Sequence, residues 1–319
     1  MPNTTRVLLW TDTPDAYLAA VAEAGLSGRV EIETLLRKEL PSAAQRQGVE
    51  AMLALAAPAG LLPTMAKLRW IQGLTAGIEG WLALPDLPPG LTLTSARGTH
   101  RESMPENILG ALFHIAKPYA AIVDDNRRAT WTRRMAMPLN GKTLGILGLG
   151  AIGQDLAHMA AAIGMRVVGT RRTPGGLPGV AQVYPSERTA EVLAQSDFVL
   201  LLLPSTPATD NSVDAAMLAQ MKKGAWLLNF GRGALIVDAD LVAAVTSGHL
   251  GGAILDVFRT EPLPSDHPFW ATEGITVLPH IGGGHPDRDR TVAKLFVDNL
   301  ARFLDGKQLR EVVDRQAGY

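Results

Sequence analysis

The six residues Gly148-Leu149-Gly150-Ala151-Ile152-Gly153 carry a G-x-G-x-x-G spacing that suits the pyrophosphate of a dinucleotide. Gly148 permits a tight turn after the apolar strand Thr143–Leu147. Gly150 lets a phosphate approach the backbone, and Gly153 lets the following helix press against the strand. That helix opens at Ala151 and is closed by Gly164, and its start offers free N–H groups and a positive dipole end to an anion. The next strand, Met165–Gly169, runs into Thr170-Arg171-Arg172. An acidic residue at this place takes a ribose 2′-hydroxyl. Here no acid repels a 2′-phosphate, and two guanidiniums can pair with one. The expected cofactor is NADP, with NAD as the alternative. A solvated basic turn is the plain structural reading of the same arginines.

Three further segments place polar chemistry after apolar runs: Asn229 to Asp238 with Arg232, Asp256 to Pro264 with Glu261, and Leu278 to Gly283 with His280. All three fall at the carboxyl ends of parallel strands, where open α/β sheets bind ligands. An imidazole both gives and takes a proton near neutrality. A carboxylate beside it stabilises the imidazolium. A guanidinium offers a planar fork to a carboxylate and polarises a carbonyl. Taken singly, each has a structural reading: a His before glycines, an Arg beside Gly, a Glu in a turn before Pro. Asp256 either caps a turn after its strand or faces a ligand. His100, His114, His249, His267 and His285 show no metal-ligand pattern, and no metal is expected.

The elements that must position these groups fall into two sets. In the second, apolar runs recur at Thr143–Leu147, Met165–Gly169, Asp197–Leu203, Ala225–Asn229, Ala253–Val257 and Ile275–Leu278, with a weaker one at Val180–Tyr184. Helical stretches separate most of them, which implies a parallel sheet covered on both faces. In the first, strands at Arg6–Trp10, Ala51–Ala57 and Leu68–Gln72 and a helix at Asp15 to Gly25 outline a smaller α/β unit up to about residue 100. Ser103-Met104-Pro105-Glu106 has a capping-box pattern that starts a helix running to Ala116. Asn126 to Arg134 reads as a polar surface connection. Val292, Leu295, Phe296, Leu300 and Phe303 recur at helical spacing. This last helix either packs back on the first unit or closes the second; the former placement is taken for the domain division.

A length of 319 residues suits two domains, each able to bury its own core. A formal net charge of −1 gives no electrostatic case for nucleic acid or an anionic membrane. The absence of cysteine removes disulfides, thiolate metal sites and cysteine nucleophiles, and fits a cytoplasmic setting. Met1 to Trp10 reads as neither signal peptide nor anchor, and no run approaches the length of a membrane helix.

The ordered segments include Leu139-Asn140-Gly141-Lys142-Thr143-Leu144-Gly145-Ile146 before the glycine turn and Leu203-Pro204-Ser205-Thr206-Pro207-Ala208-Thr209 after the central strand. Met221-Lys222-Lys223-Gly224-Ala225 precedes the Arg232 strand. With the three chemical segments, they resemble the D-isomer-specific 2-hydroxyacid dehydrogenases over nearly the whole chain. The resemblance implies an α/β chain of two Rossmann-like or flavodoxin-like domains with doubly wound parallel sheets and an active site in the interdomain cleft. Residues 1–113 plus 286–319 would bind substrate and residues 114–285 the dinucleotide, with hinges near Phe113 and Gly284. The implied activity is NADP(H)-dependent reduction of a small 2-keto acid, like glyoxylate or hydroxypyruvate, to the D-2-hydroxy acid. Arg232 would bind the substrate carboxylate and carbonyl, and His280 would protonate the carbonyl oxygen. Glu261 would hydrogen-bond His280, fix its tautomer and favour its protonated form.

In Gly73-Leu74-Thr75-Ala76-Gly77-Ile78, the backbone N–H groups of Ala76 and Gly77 would hold the carboxylate. The usual pattern has Asp after the position of Ile78, where this chain has Glu79. Asp256 would contact the nicotinamide carboxamide, and Ala151, Ile152, Phe230, Gly231 and Gly282 would line the dinucleotide. Leu203, Pro204 and Thr209 would do so near the adenosine. Leu74, Trp81 and Trp131 are candidates for lining the cleft. A homodimer joined through the dinucleotide domains is the implied assembly. Formate dehydrogenase replaces the Glu of the Glu–His pair, so Glu261 argues against it; phosphite dehydrogenase keeps Arg, Glu and His and stays open. A dinucleotide-sensing corepressor on this fold carries extra tails, which this compact chain is expected to lack.

Overall fold

The computed structural model describes residues 4–173 and 175–316, so the outermost ends of the expected substrate domain lie outside the described residues. The chain divides into two compact units, Met1–Thr99 with His285–Tyr319 and His100–Gly284.

In the first unit, β1 (Thr5–Trp10), β2 (Val30–Leu35), β3 (Ala51–Ala54), β4 (Trp70–Gly73) and β5 (Thr92–Thr94) form a sheet in the order β2-β1-β3-β4-β5. Every pairing is parallel. Helices α1 (Pro14–Glu23), α2 (Ala43–Gly48) and the short α3 (Glu79–Leu82) lie between strands. Val7 and Leu9 enter one apolar cluster, Leu8 and Trp10 another. Successive strand residues face opposite sides, so a strand covered on both faces reads as an unbroken apolar run. β2, absent from the sequence reading, is an edge strand, Val-Glu-Ile-Glu-Thr-Leu, whose alternating acids disguise it. α2 was also passed over. It begins with a formed capping box: Ser42 Oγ accepts from the Gln45 amide at 3.3 Å, and the Ser42 amide donates to Gln45 Oε1 at 2.8 Å.

The second unit opens with α4 (Ser103–Ala116) and α5 (Tyr119–Arg127). There follow β6 (Thr143–Leu147), α6 (Ala151–Ala162), β7 (Arg166–Thr170), β8 (Gln182–Tyr184), α7 (Thr189–Gln195) and β9 (Phe198–Leu201). The unit ends with α8 (Ala215–Leu218), β10 (Trp226–Asn229), α9 (Asp238–Thr246), β11 (Gly252–Leu255) and β12 (Ile275–Val277). The strands form a parallel sheet in the order β12-β11-β10-β9-β6-β7-β8. The order reverses between β6 and β9, the switch point at which such sheets take a dinucleotide. Val199, Leu201, Ala253 and Leu255 pack on one face, and Phe198, Leu200, Ile254 and Ile146 on the other. The expected strands are all present, with ends shifted by a residue or two.

Two expectations change. α4 is present, but its capping box is not made. The chain enters the helix from a turn that is already helical, the Met104 amide bonds back to His100 O at 3.1 Å, and Ser103 makes no cap. The division between the units also falls before α4, after Thr99, where residue 113 was expected. The reason is packing: Ile108, Ala111, Leu112 and Ala116 are buried with Leu144, Ile146, Leu156 and Ala160 in the second unit's core. Phe113 therefore lies within a helix of that unit, and the chain returns to the first unit at His285, beside the expected Gly284. There α10 (Arg288–Leu304) buries Val292, Ala293, Phe296 and Leu300 against Tyr17, Val21 and Trp70. Phe296 stacks on Trp70 with ring centroids 5.7 Å apart and meets Tyr17 edge-on at 6.1 Å. Among the described residues, no helix is long and apolar enough to cross a membrane.

Candidate active site

The glycine turn joins β6 to α6. Gly148 has φ +108°, and a Cβ there would lie 2.8 Å from Leu202 O. A Cβ on Gly153 would lie 2.7 Å from Gly148 O. Neither position admits a side chain, because the obstacle is backbone. Gly150 differs: a Cβ on it meets nothing within 4 Å, so open space stands before the helix start at Ala151 and Ile152. That cradle, at the switch point of the sheet and at a helix N-terminus, fits a dinucleotide pyrophosphate. Thr170 ends β7 buried, and its carbonyl accepts the Leu149 amide at 2.9 Å, which ties the strand end to the turn. Arg171 and Arg172 follow immediately and are exposed.

The loops after β9, β10 and β11 pack closely on one another. Thr209 is spent on its own loop: Oγ1 donates to Pro204 O at 2.7 Å and accepts from the Thr206 amide at 2.9 Å. A Cβ on Gly231 would lie 2.8 Å from Leu203 O. Asn229, fully buried at the end of β10, accepts from the Gly231 amide at 3.0 Å and donates to Arg232 O at 2.9 Å. It clamps the backbone on both sides of the loop that presents Arg232, whose side chain is half-buried. A Cβ on Gly233 would lie 1.9 Å from the Phe258 carbonyl carbon, so the Arg232 loop lies directly on the loop of Glu261.

Glu261 has two partners. Oε1 accepts from the Phe258 amide at 2.8 Å, and Oε2 lies 2.6 Å from His280 Nδ1. An ionised carboxylate only accepts, so Nδ1 carries hydrogen and Nε2 is the nitrogen left for chemistry. His280 sits at φ +54°, a left-handed conformation unusual for a residue with a side chain. Asp256 explains how it is held. The Asp256 carboxylate, 1% exposed, accepts from the Ile281 amide at 2.7 Å and from the Gly282 amide at 2.8 Å. Burial pushes its pKa up, against the opposing pull of those two amides. Asp256 thus fixes the turn after His280, and a Cβ built on Gly282 would lie 2.6 Å from its Oδ2 and 2.9 Å from a ring carbon of Phe230. Asn107 on α4 donates to Gly282 O at 3.0 Å and Ile281 O at 3.2 Å. Asn107 and Asn229 escaped the sequence reading. The available signal was an amide side chain on an otherwise apolar helix face or strand end.

In the first unit, the turn after β4 carries Ala76 and Gly77, both partly exposed. It is braced by the Leu74 amide on Ala54 O at 3.1 Å, by the Ala96 amide on Thr75 O at 2.9 Å, and by Thr75 Oγ1 on Gly77 O at 2.7 Å. The Arg288 guanidinium also donates to Leu74 O. Leu74 and Trp81, 3% and 2% exposed, serve the core of this unit, whereas Trp131 is 99% exposed.

The family model described as D-isomer specific 2-hydroxyacid dehydrogenase, NAD binding domain, matches residues 109–282. The chain belongs to the D-isomer specific 2-hydroxyacid dehydrogenase family. It is an NAD(P)-dependent enzyme of that family. It is 31% identical over 272 residues to a glyoxylate/hydroxypyruvate reductase A of Serratia proteamaculans, covering 82% of this chain and 85% of the relative. A family member from Aeromonas salmonicida superposes with TM-score 0.89 at 31% identity, over 98% of this chain and 100% of that one. An NADPH-dependent glyoxylate/hydroxypyruvate reductase from Sinorhizobium meliloti, solved with NADP and sulfate, superposes with TM-score 0.85 at 29% identity, over 99% of this chain and 100% of that one.

Proposed function

We propose that the chain reduces a small 2-keto acid of the glyoxylate or hydroxypyruvate kind to the D-2-hydroxy acid, with NADPH preferred over NADH. The observation that carries this reading is the Glu261–His280 pair at 2.6 Å, on loops packed against the Arg232 loop at the carboxyl end of a dinucleotide-type sheet. Arg232 binds the carboxylate and polarises the carbonyl through its fork of N–H donors. The amides of Ala76 and Gly77 are assigned to the carboxylate by family resemblance. When bound, the reduced nicotinamide supplies the hydride that adds to C2. His280 Nε2 gives its proton to the carbonyl oxygen, completing the hydroxyl, and regains one from solvent. Glu261 keeps Nδ1 protonated and stabilises the imidazolium before transfer. The glycine turn and Ala151–Ile152 take the pyrophosphate, Arg171 and Arg172 the 2′-phosphate. Leu203, Pro204, Thr209, Phe230, Gly231, Asp256 and Gly282 complete the cofactor wall. The Sinorhizobium relative, described as NADPH-dependent, supports the choice of cofactor.

The assembly we propose is a cytoplasmic homodimer joined through the second unit. Tyr119, Val123, Trp131 and Met135, exposed at 68%, 47%, 99% and 85% within one stretch of sequence, support it as apolar side chains that a partner surface would cover.

The test is a panel of glyoxylate, hydroxypyruvate and pyruvate with NADPH and NADH in parallel, and phosphite with NADP. Turnover of a 2-keto acid with NADPH is expected. A tenfold preference for NADH, about 1.4 kcal/mol the other way, would overturn the reading of Arg171 and Arg172. Turnover of phosphite alone would move the activity to that acid.

A further inference from the structure

Helix α10 grips the segment that leads into Ala76 and Gly77 at several points. Arg288, Val292, Phe296 and Asn299 follow one another at helical spacing, so they share one face of the helix. The two apolar members are buried in one cluster with Trp70 of β4 and Leu74 of the turn. The two polar members stand at the ends of that stripe, and both reach residues 72–74. Asn299, fully buried, donates to Gln72 Oε1 at 3.0 Å. Gln72 Nε2 in turn donates to Gly73 O at 3.1 Å and to Ser95 O at 3.0 Å. The Arg288 guanidinium donates to Leu74 O.

The turn is thus held by its carbonyls. Gln72 takes Gly73 O, Arg288 takes Leu74 O, the Ala96 amide takes Thr75 O and Thr75 Oγ1 takes Gly77 O. Among the described residues, no acceptor takes the amide of Ala76 or Gly77. Successive amides that are not spent on the protein can converge on an anion.

Of the groups that hold these carbonyls, Arg288 alone carries charge. Its Nη1 also pairs with Asp289 Oδ1 at 2.8 Å, and Asp289 Oδ2 accepts from Thr13 Oγ1 at 2.6 Å. The guanidinium is therefore aimed by its neighbours rather than by a ligand. A planar fork serves a carbonyl and a carboxylate together, which an ammonium does less well. A charged donor makes a bond about twice as strong as a neutral one, and here it also puts positive charge behind the turn.

We propose that Arg288 is a positioning residue for the substrate carboxylate. It locks the turn in the conformation in which the Ala76 and Gly77 amides receive the anion, and its charge adds to their pull. This rests on the 2-keto acid reductase reading. Arg288 takes part in no proton or hydride step, so its effect falls on substrate affinity and not on turnover.

The experiment measures kcat and KM for glyoxylate and hydroxypyruvate with NADPH, competitive inhibition by oxalate, NADPH affinity and the unfolding midpoint. The proteins compared are wild type, Arg288→Ala, Arg288→Lys and Phe303→Ala. Arg288→Ala should raise KM and the oxalate inhibition constant together by about tenfold or more, as for a lost hydrogen bond to a charged group. Its kcat should stay within about threefold and its NADPH affinity within about twofold. Added guanidinium, at a non-denaturing concentration, should restore part of the lost affinity in this variant and none in wild type. Arg288→Lys should fall between the two. Phe303→Ala loosens the same helix where its ring meets Trp70, so it should lower the midpoint and leave KM near native. KM and the oxalate constant do not depend on the fraction of enzyme that is folded. If Arg288→Ala lowered the midpoint but left both constants native, or lowered kcat at native KM, the positioning role would be overturned and the reductase reading would stand. A wild type inert to every keto acid would overturn the reductase reading and this inference with it.

Discussion

Replacing Asp256 by Asn removes one of the two acceptors that hold the backbone after His280. In the native site its two oxygens take the Ile281 and Gly282 amides at 2.7 and 2.8 Å. Asn keeps one oxygen and turns an NH2 group toward the other amide, donor against donor. A hydrogen bond to a charged group contributes about 1.5–3 kcal/mol, and here one is lost and the other weakened to a neutral pair. Against this, burial already penalises the charged carboxylate and raises its pKa, so a neutral side chain recovers part of the loss. The net destabilisation should be about 1–3 kcal/mol, or roughly 3–10 °C in the unfolding midpoint of a unit of this size. The left-handed His280 has less to hold it, and kcat should fall by about tenfold or more as the imidazole leaves its productive geometry. The pH dependence has a definite sign. A carboxyl whose folded-state pKa is raised is least costly to the fold when protonated. The native protein should therefore gain stability from this group as pH falls through the raised pKa, and the Asn variant should lack that gain. Thermal unfolding between pH 4 and 8, steady-state kcat and a fluorescence titration with NADPH measure the three effects. An Asn variant with native midpoint and native kcat refutes the brace. Native kcat with weakened NADPH binding would leave Asp256 a cofactor contact only.

Glu261→Gln should lower kcat by about 10- to 100-fold, and His280→Ala by about 100- to 10,000-fold, the range of a lost general acid. NADPH affinity should stay within about twofold in both, as read by fluorescence titration, because neither side chain is assigned to the dinucleotide. Asp125 is buried, bonded to Arg134 at 2.7 Å and Arg128 at 2.9 Å, and the Arg134 guanidinium leads in holding its pKa down at about 2. A depressed carboxyl stabilises the fold above its unfolded pKa of about 4 and loses that contribution as pH falls toward the folded value. The protection of the Arg128, Ala129 and Thr130 amides against hydrogen exchange, relative to the intrinsic rate at each pH, should therefore fall between pH 4 and 2 in the native chain, and should already be low at pH 7 in Asp125→Asn.

What was readable in the sequence follows from how each feature is encoded. β6, β9, β10 and β11 are buried on both faces, so their apolar runs stand out without any knowledge of neighbours. β2 is at an edge and needs only part of its surface covered, so its glutamates conceal it. The two S-x-x-[EQ] patterns show that a local signal is conditional. The Ser42 pattern forms its box because Ser42 is itself the non-helical N-cap, extended at ψ 165°. The Ser103 pattern does not, because the residue before it is already helical, at φ −89° and ψ −56°. Arg232, Glu261 and His280, the proposed catalytic set, could be picked out because each sits past a strand, where type and order carry the family resemblance. Their supports were not. Asp256 reaches amides 25 residues away, and Asn107 reaches a carbonyl 174 residues away. No spacing rule joins such positions; only the packed sheet does. Supports of that kind are therefore invisible to motif matching, so chains sharing Arg, Glu and His can still differ in how firmly those groups are held.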